Sequence, residues 1–150
     1  MKLLFVCTGN TCRSPMALAI AKKMHVDFGL DGYEFASAGV MAEDGASASR
    51  GALDAAAQIG LDLSGHSSRS LTSELVREST LILTMTKLHK DMVCVKFPDH
   101  SDKVHIISEY AGKLGDVPDP FGRSLQVYSK CRDSLVEYIK HIFEAHRGDA

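Results

Sequence analysis

Leu3-Leu4-Phe5-Val6-Cys7 is an unbroken apolar run that gives way at once to Thr8-Gly9-Asn10-Thr11. A strand with alternating polarity can leave one face in water. A strand that is apolar at every position must be covered on both faces, as in a parallel sheet between layers of helices. Thr80-Leu81-Ile82-Leu83-Thr84-Met85 is a second such run. Between and beyond them, helical and strand-like segments alternate. Ser14-Pro15 marks a helix start, and Met16 to Phe28 reads as helix. Tyr33 to Ser37 reads as a strand ended by Ala38-Gly39, and the alanine-rich stretch from Ser47 to Ile59 as a helix closed by Gly60. Leu71 to Glu78 forms another helix, helical residues resume near Leu88, and Val104 to Ile107 make a fourth strand. Gly115 to Arg123 is rich in glycine and proline and must be a loop. Leu125, Tyr128, Leu135, Ile139 and Ile142 then recur at helical spacing behind Ser124, a candidate N-cap. This alternation predicts an α/β fold: a three-layer sandwich with a four-stranded parallel sheet, helices on both faces, and one domain over residues 1–150. Ligands of such sheets bind beyond the carboxyl ends of the strands, where strand order reverses, so the loop after the first strand is the place to look.

Composition removes several classes of function. Nineteen acidic against seventeen basic side chains give a net charge of -2, without the basic excess that binding nucleic acid requires. Cys7, Cys12, Cys94 and Cys131 contain no CxxC pair and no Cys/His cluster, so thiols are expected and neither a metal nor a cofactor. The first apolar run is too short for a signal peptide, and no stretch approaches a membrane span. A soluble, cytoplasmic protein without a membrane partner is expected.

The loop from Cys7 to Ser14 carries the chemistry. Thr8, Gly9, Asn10, Thr11 and Cys12 are small or turn-prone, so the backbone can curl and aim successive N–H groups into one cavity that suits a tetrahedral dianion. The helix behind it adds unpaired N–H groups and the positive end of its dipole. Arg13 adds a planar fork matched to two phosphoryl oxygens. The same field favours the thiolate of Cys7. Ser14 can donate its hydroxyl to that sulfur and stabilise it as a leaving group, and Asn10 tolerates a left-handed backbone. Thr8, Gly9, Asn10, Thr11, Cys12 and Ser14 are the substrate-binding residues expected of the loop. A buried cysteine that merely ends a core strand would leave Gly9-Asn10, Arg13 and Ser14 unexplained together. Cys12 lies in the same curl, so peroxide could turn Cys7 into a sulfenic acid that Cys12 captures as a disulfide.

VCTGNTCRS near one end and VPDPFG near the other resemble the low-molecular-weight protein tyrosine phosphatase family over nearly the whole chain. The resemblance implies that Cys7 is the nucleophile, Arg13 the phosphate clamp and Asp119, of the late Asp-Pro pair, the general acid. It also implies that Ser37 and His66 brace the loop asparagine. Asp119 makes chemical sense, because a poor leaving group needs a proton on the side of the phosphoryl group away from the thiolate. Asp116 is its rival. Phe121, with Val40 and Met41, is expected at the mouth of the site.

Thr11 stands where those enzymes usually carry isoleucine, Phe121-Gly122 where many have two tyrosines, and Thr86 where many have aspartate. Together these look like the bacterial protein-arginine phosphatase branch. Phosphoarginine brings guanidinium N–H groups beside the phosphoryl group, and burying them unpaired against isoleucine costs about 1–3 kcal/mol. A threonine hydroxyl accepts one of them and can also hold the attacking water. The expected activity is hydrolysis of phosphoarginine in phosphorylated protein substrates through a phosphocysteine, releasing inorganic phosphate. Hydrolysis of phosphotyrosine is the alternative. Arsenate reductases share a similar loop but relay a disulfide through further cysteines, and only Cys94 stands in that neighbourhood. A noncatalytic anion-binding module is the third class.

Overall fold

The computed structural model describes residues 1–148. Its strands are β1 (Lys2–Cys7), β2 (Glu34–Gly39), β3 (Leu81–Thr84) and β4 (Val104–Ile106). They form one parallel sheet in the order β2-β1-β3-β4. The helices are α1 (Arg13–Asp27), α2 (Arg50–Ala57), α3 (Ser73–Glu78), α4 (Lys87–Lys96), α5 (Ile107–Tyr110) and α6 (Leu125–Gly148), with a 3₁₀ turn over Pro98–Lys103. Side chains of β1 alternate between two cores, as strand geometry requires. Leu3, Phe5 and Cys7 face Met16 and Ile20 of α1, Ala52 and Ala55 of α2, and Leu135, Ile139 and Phe143 of α6. Leu4 and Val6 face Leu75 and Val76 of α3 and Val93 of α4. The apolar run Leu3 to Cys7 of β1 is thus explained by burial on both sides, each full side-chain burial contributing roughly 1.5–3 kcal/mol.

Several ends differ from expectation, each for a local reason. The first helix begins at Arg13, ahead of Ser14-Pro15, because a proline in the first turn has no N–H to leave unpaired. The second strand runs on to Gly39, since Ala38 and Gly39 find parallel partners in Val6 and Cys7. The alanine-rich helix is shorter than Ser47 to Ile59, because the Ser49 hydroxyl accepts from Ala52 N–H and starts it there. Thr72 caps α3 in the same way, so Leu71 is not helical, and Thr86 caps α4. Ile107 opens a helical turn instead of closing the fourth strand, and Leu125 is exposed although the rest of its stripe is buried. Ser124 does cap α6, accepting from Val127 N–H at 3.4 Å. Among the described residues, no helix is long and apolar enough to cross a membrane.

The chain leaves β1 toward β2 and later crosses back to β3 on its other side, so strand order reverses between β1 and β3. The loop after β1 and the start of α4 after β3 therefore meet at one crevice.

Candidate active site

The curl of the loop is imposed from outside. The carbonyls of Cys7 and Thr8 accept from Val40 and Met41 N–H, that of Thr11 from Ser49 N–H, and that of Asn10 from His66 Nε2 at 2.7 Å. In a planar trans peptide the C=O and the following N–H point opposite ways. Carbonyls drawn outward thus turn the N–H groups of Thr8, Gly9, Thr11 and Cys12 to the concave side. That side is a cavity of about 290 Å³ lined by Cys7, Thr8, Gly9, Thr11, Cys12, Arg13, Asp119 and Phe121. Cys7 forms its floor, buried but in contact with the cavity.

Asn10 holds the turn, with a left-handed φ of 57°. Its Nδ2 donates to Ser14 Oγ at 2.7 Å and Ser37 Oγ at 3.0 Å, and its Oδ1 accepts from Arg69 N–H at 3.0 Å. Because Ser14 Oγ accepts from Asn10, its own proton is free for the Cys7 sulfur 2.9 Å away. The serine hydroxyl thereby stabilises negative charge on sulfur. Asn10 and Ser14 are both 0% exposed and lie behind the loop, their polar atoms bonded to each other and to the scaffold. They were expected to touch substrate; the geometry makes them supports. Ser37 Oγ accepts from Asn10 and His66 bonds the Asn10 carbonyl, so His66 must carry its proton on Nε2, since a carbonyl can only accept.

Arg13 is almost fully buried, with Nη1 donating to Val117 O at 2.9 Å and Nη2 to Thr8 Oγ1 at 3.4 Å. Its Nη2 also lies 3.9 Å from Asp119 Oδ2. Asp119 is about half exposed at the rim, its Oδ1 accepting from Phe121 N–H at 3.0 Å. Asp116 is turned away: its Oδ1 accepts from Lys87 N–H at the start of α4. Val40 and Met41 do not line the cavity. Val40 packs against the α3/α4 core and Met41 is in solvent. Cys94 packs against that same core, across the sheet from Cys7, out of position for a thiol relay.

Sequence reasoning missed several members of the site. Cys12 Sγ contacts Ser49 Oγ at 3.2 Å and Tyr128 OH at 3.4 Å, and burial together with the bond to Cys12 pushes the Tyr128 phenol up to about 12. Burial likewise pushes the Cys131 thiol up to about 12, leaving it inert. Arg69 bonds Asn10 from its backbone and Ser37 O from its Nε. Gly39 has no room for a side chain: a Cβ there would collide with Thr8 O and lie 3.0 Å from Asn10 N. Gly39→Ala must push the loop backbone, so it is expected to cost about 1–3 kcal/mol of stability and most of the phosphate affinity. Thermal melts with and without phosphate check this; unchanged affinity would show the loop position to be irrelevant.

A thiol at the floor of an anion-shaped cup, at the switch point of a doubly covered sheet, defines a cysteine-dependent phosphatase. The chain belongs to the family described as low molecular weight phosphotyrosine protein phosphatase, which matches residues 2–149. It is 40% identical over 150 residues to a protein-arginine-phosphatase of Bacillus subtilis (strain 168), covering 99% of each chain. It is 39% identical to the low molecular weight protein-tyrosine-phosphatase PtpB of Staphylococcus haemolyticus, covering 93% of this chain and 95% of the other. Among solved structures it resembles a cysteine-to-serine mutant of the YwlE arginine phosphatase with a phosphorylated active site serine. The TM-score is 0.95 at 39% identity, covering 99% of this chain and 97% of that one.

Proposed function

We propose that residues 1–150 form one phosphatase domain that hydrolyses phosphoarginine in cytoplasmic proteins. The cysteines of the chain are free thiols, the state that compartment maintains. Cys7 thiolate attacks phosphorus in line, forming the S–P bond as the N–P bond to the guanidine breaks. Loop amides and the Arg13 fork hold the equatorial oxygens, and Asp119 gives its proton to the departing nitrogen. Asp119, now a carboxylate, takes a proton from water as that water attacks phosphocysteine. The S–P bond breaks, inorganic phosphate leaves, and the Ser14 hydroxyl stabilises the returning thiolate.

The observation that carries the choice of substrate is Thr11, whose side chain stands half-buried in the cavity wall beside the nucleophile. Its hydroxyl can accept a guanidinium N–H of the substrate, and an isoleucine there cannot. The name of the Bacillus subtilis relative points the same way. The test is the ratio of kcat/KM for phosphoarginine and phosphotyrosine peptides. Thr11→Ile is expected to lower the phosphoarginine value roughly 5- to 150-fold, the effect of leaving a buried donor unpaired, while phosphotyrosine turnover holds or rises. A wild type that prefers phosphotyrosine, with a ratio indifferent to Thr11, would reject the assignment.

A further inference from the structure

His89 is the third residue of α4, placed there by the Thr86 cap that accepts from its backbone N–H. Its side chain is 2% exposed, and Nε2 lies 2.8 Å from Thr8 Oγ1 across the crevice between β3 and β1. Among the described residues, Nδ1 is a buried side-chain polar atom with no hydrogen-bond partner. Thr8 Oγ1 also accepts from Arg13 Nη2, and Thr8 lines the cavity above Cys7.

A neutral imidazole has two ways to meet this geometry. With the proton on Nδ1, a buried N–H goes unpaired and Nε2 draws the threonine proton toward itself, away from the cavity. With the proton on Nε2, the unpaired atom is only a lone pair, which interiors tolerate better than an orphaned N–H. Thr8 Oγ1 then accepts twice, from His89 and from Arg13, and both its lone pairs are used. Its own proton must go to a third group, and the open side of the threonine is the anion cavity.

We propose that His89, protonated on Nε2, is a positioning residue that makes the Thr8 hydroxyl a hydrogen-bond donor to the bound phosphoryl group and steadies the Arg13 fork. The inference rests on the cavity being a phosphoryl site. Burial first, then the neighbouring Arg13 charge, pushes the His89 imidazole down to about 4, against smaller opposing effects of Asp116 and Asp119. The ring is therefore neutral at neutral pH, and its tautomer is a defined quantity.

Nitrogen NMR on the phosphate-bound wild type reads that tautomer directly. A proton-bearing Nε2 with a pyridine-like Nδ1 is expected, and the reverse pattern overturns the proposal. Affinity for inorganic phosphate, measured as competitive inhibition, supplies the second reading. His89→Leu and Thr8→Val are each expected to weaken it roughly five- to twenty-fold. The double variant should be no weaker than Thr8→Val alone, because both changes remove one donor. His89→Gln, whose amide can still donate to Thr8, should recover most of the loss. Additive losses, or a glutamine variant as weak as the leucine one, overturn the proposal. If the wild type binds phosphate but fails these readings, only the role of His89 falls; if it binds no phosphate, the phosphoryl-site reading fails first.

Discussion

Cys7→Ser is expected to lower kcat on a phosphoarginine protein by roughly 10⁴-fold or more, the scale on which loss of a nucleophile is felt. Phosphate affinity should change little. Serine keeps the size of the side chain at the cavity floor, and the amides, Arg13 and the Asn10 scaffold do not depend on sulfur. What is lost is a thiolate nucleophile and, after transfer, a good leaving group. The Ser14 hydroxyl at 2.9 Å is set to stabilise a thiolate and cannot make a serine hydroxyl its equal. Steady-state kinetics with phosphate inhibition separates the two effects. Wild-type turnover in the variant would remove Cys7 from the mechanism.

Asp119→Asn is expected to slow turnover by about 10²- to 10⁴-fold on substrates with poor leaving groups, and by much less on an activated aryl phosphate. Asparagine can still accept from Phe121 N–H through its carbonyl oxygen, so the rim should hold its shape while losing its acid. The contrast between leaving groups is the diagnostic quantity, since a general distortion would slow both. An unchanged rate on a phosphorylated protein would pass the role to Asp116, which would first have to give up its bond to Lys87 N–H.

The part of the site that could be read from sequence is the part contiguous in sequence. Cys7 through Ser14 are neighbours, and glycine, asparagine and arginine in one short loop between a strand and a helix mark an anion cup, although bonds from outside the loop hold its curl. Asp119, Ser37 and His66 came from family resemblance, because nothing in their local sequence distinguishes a catalytic turn aspartate or a bracing serine from ordinary ones. His89, Arg69, Ser49 and Tyr128 reach the loop only through the order of strands, and Tyr128 lies 116 residues from its partner Cys12. The two-sided burial of β1 was legible because every position from Leu3 to Cys7 is apolar, whereas strand and helix ends moved with caps and pairing partners that lie outside each segment. Asn10 and Ser14 show the remaining limit: residue type placed them in the loop, but only the hydrogen bonds they make to each other put them behind it.

The central claim is covalent, and rapid acid quenching tests it most directly. Wild type mixed with excess phosphoarginine peptide for a single turnover, quenched, digested and weighed by mass spectrometry should carry a phosphoryl group on the peptide containing Cys7, and Asp119→Asn should carry less of it at early times. Substrate consumed with phosphate released and no phosphoryl group ever found on Cys7, or one found on another side chain, would contradict the account.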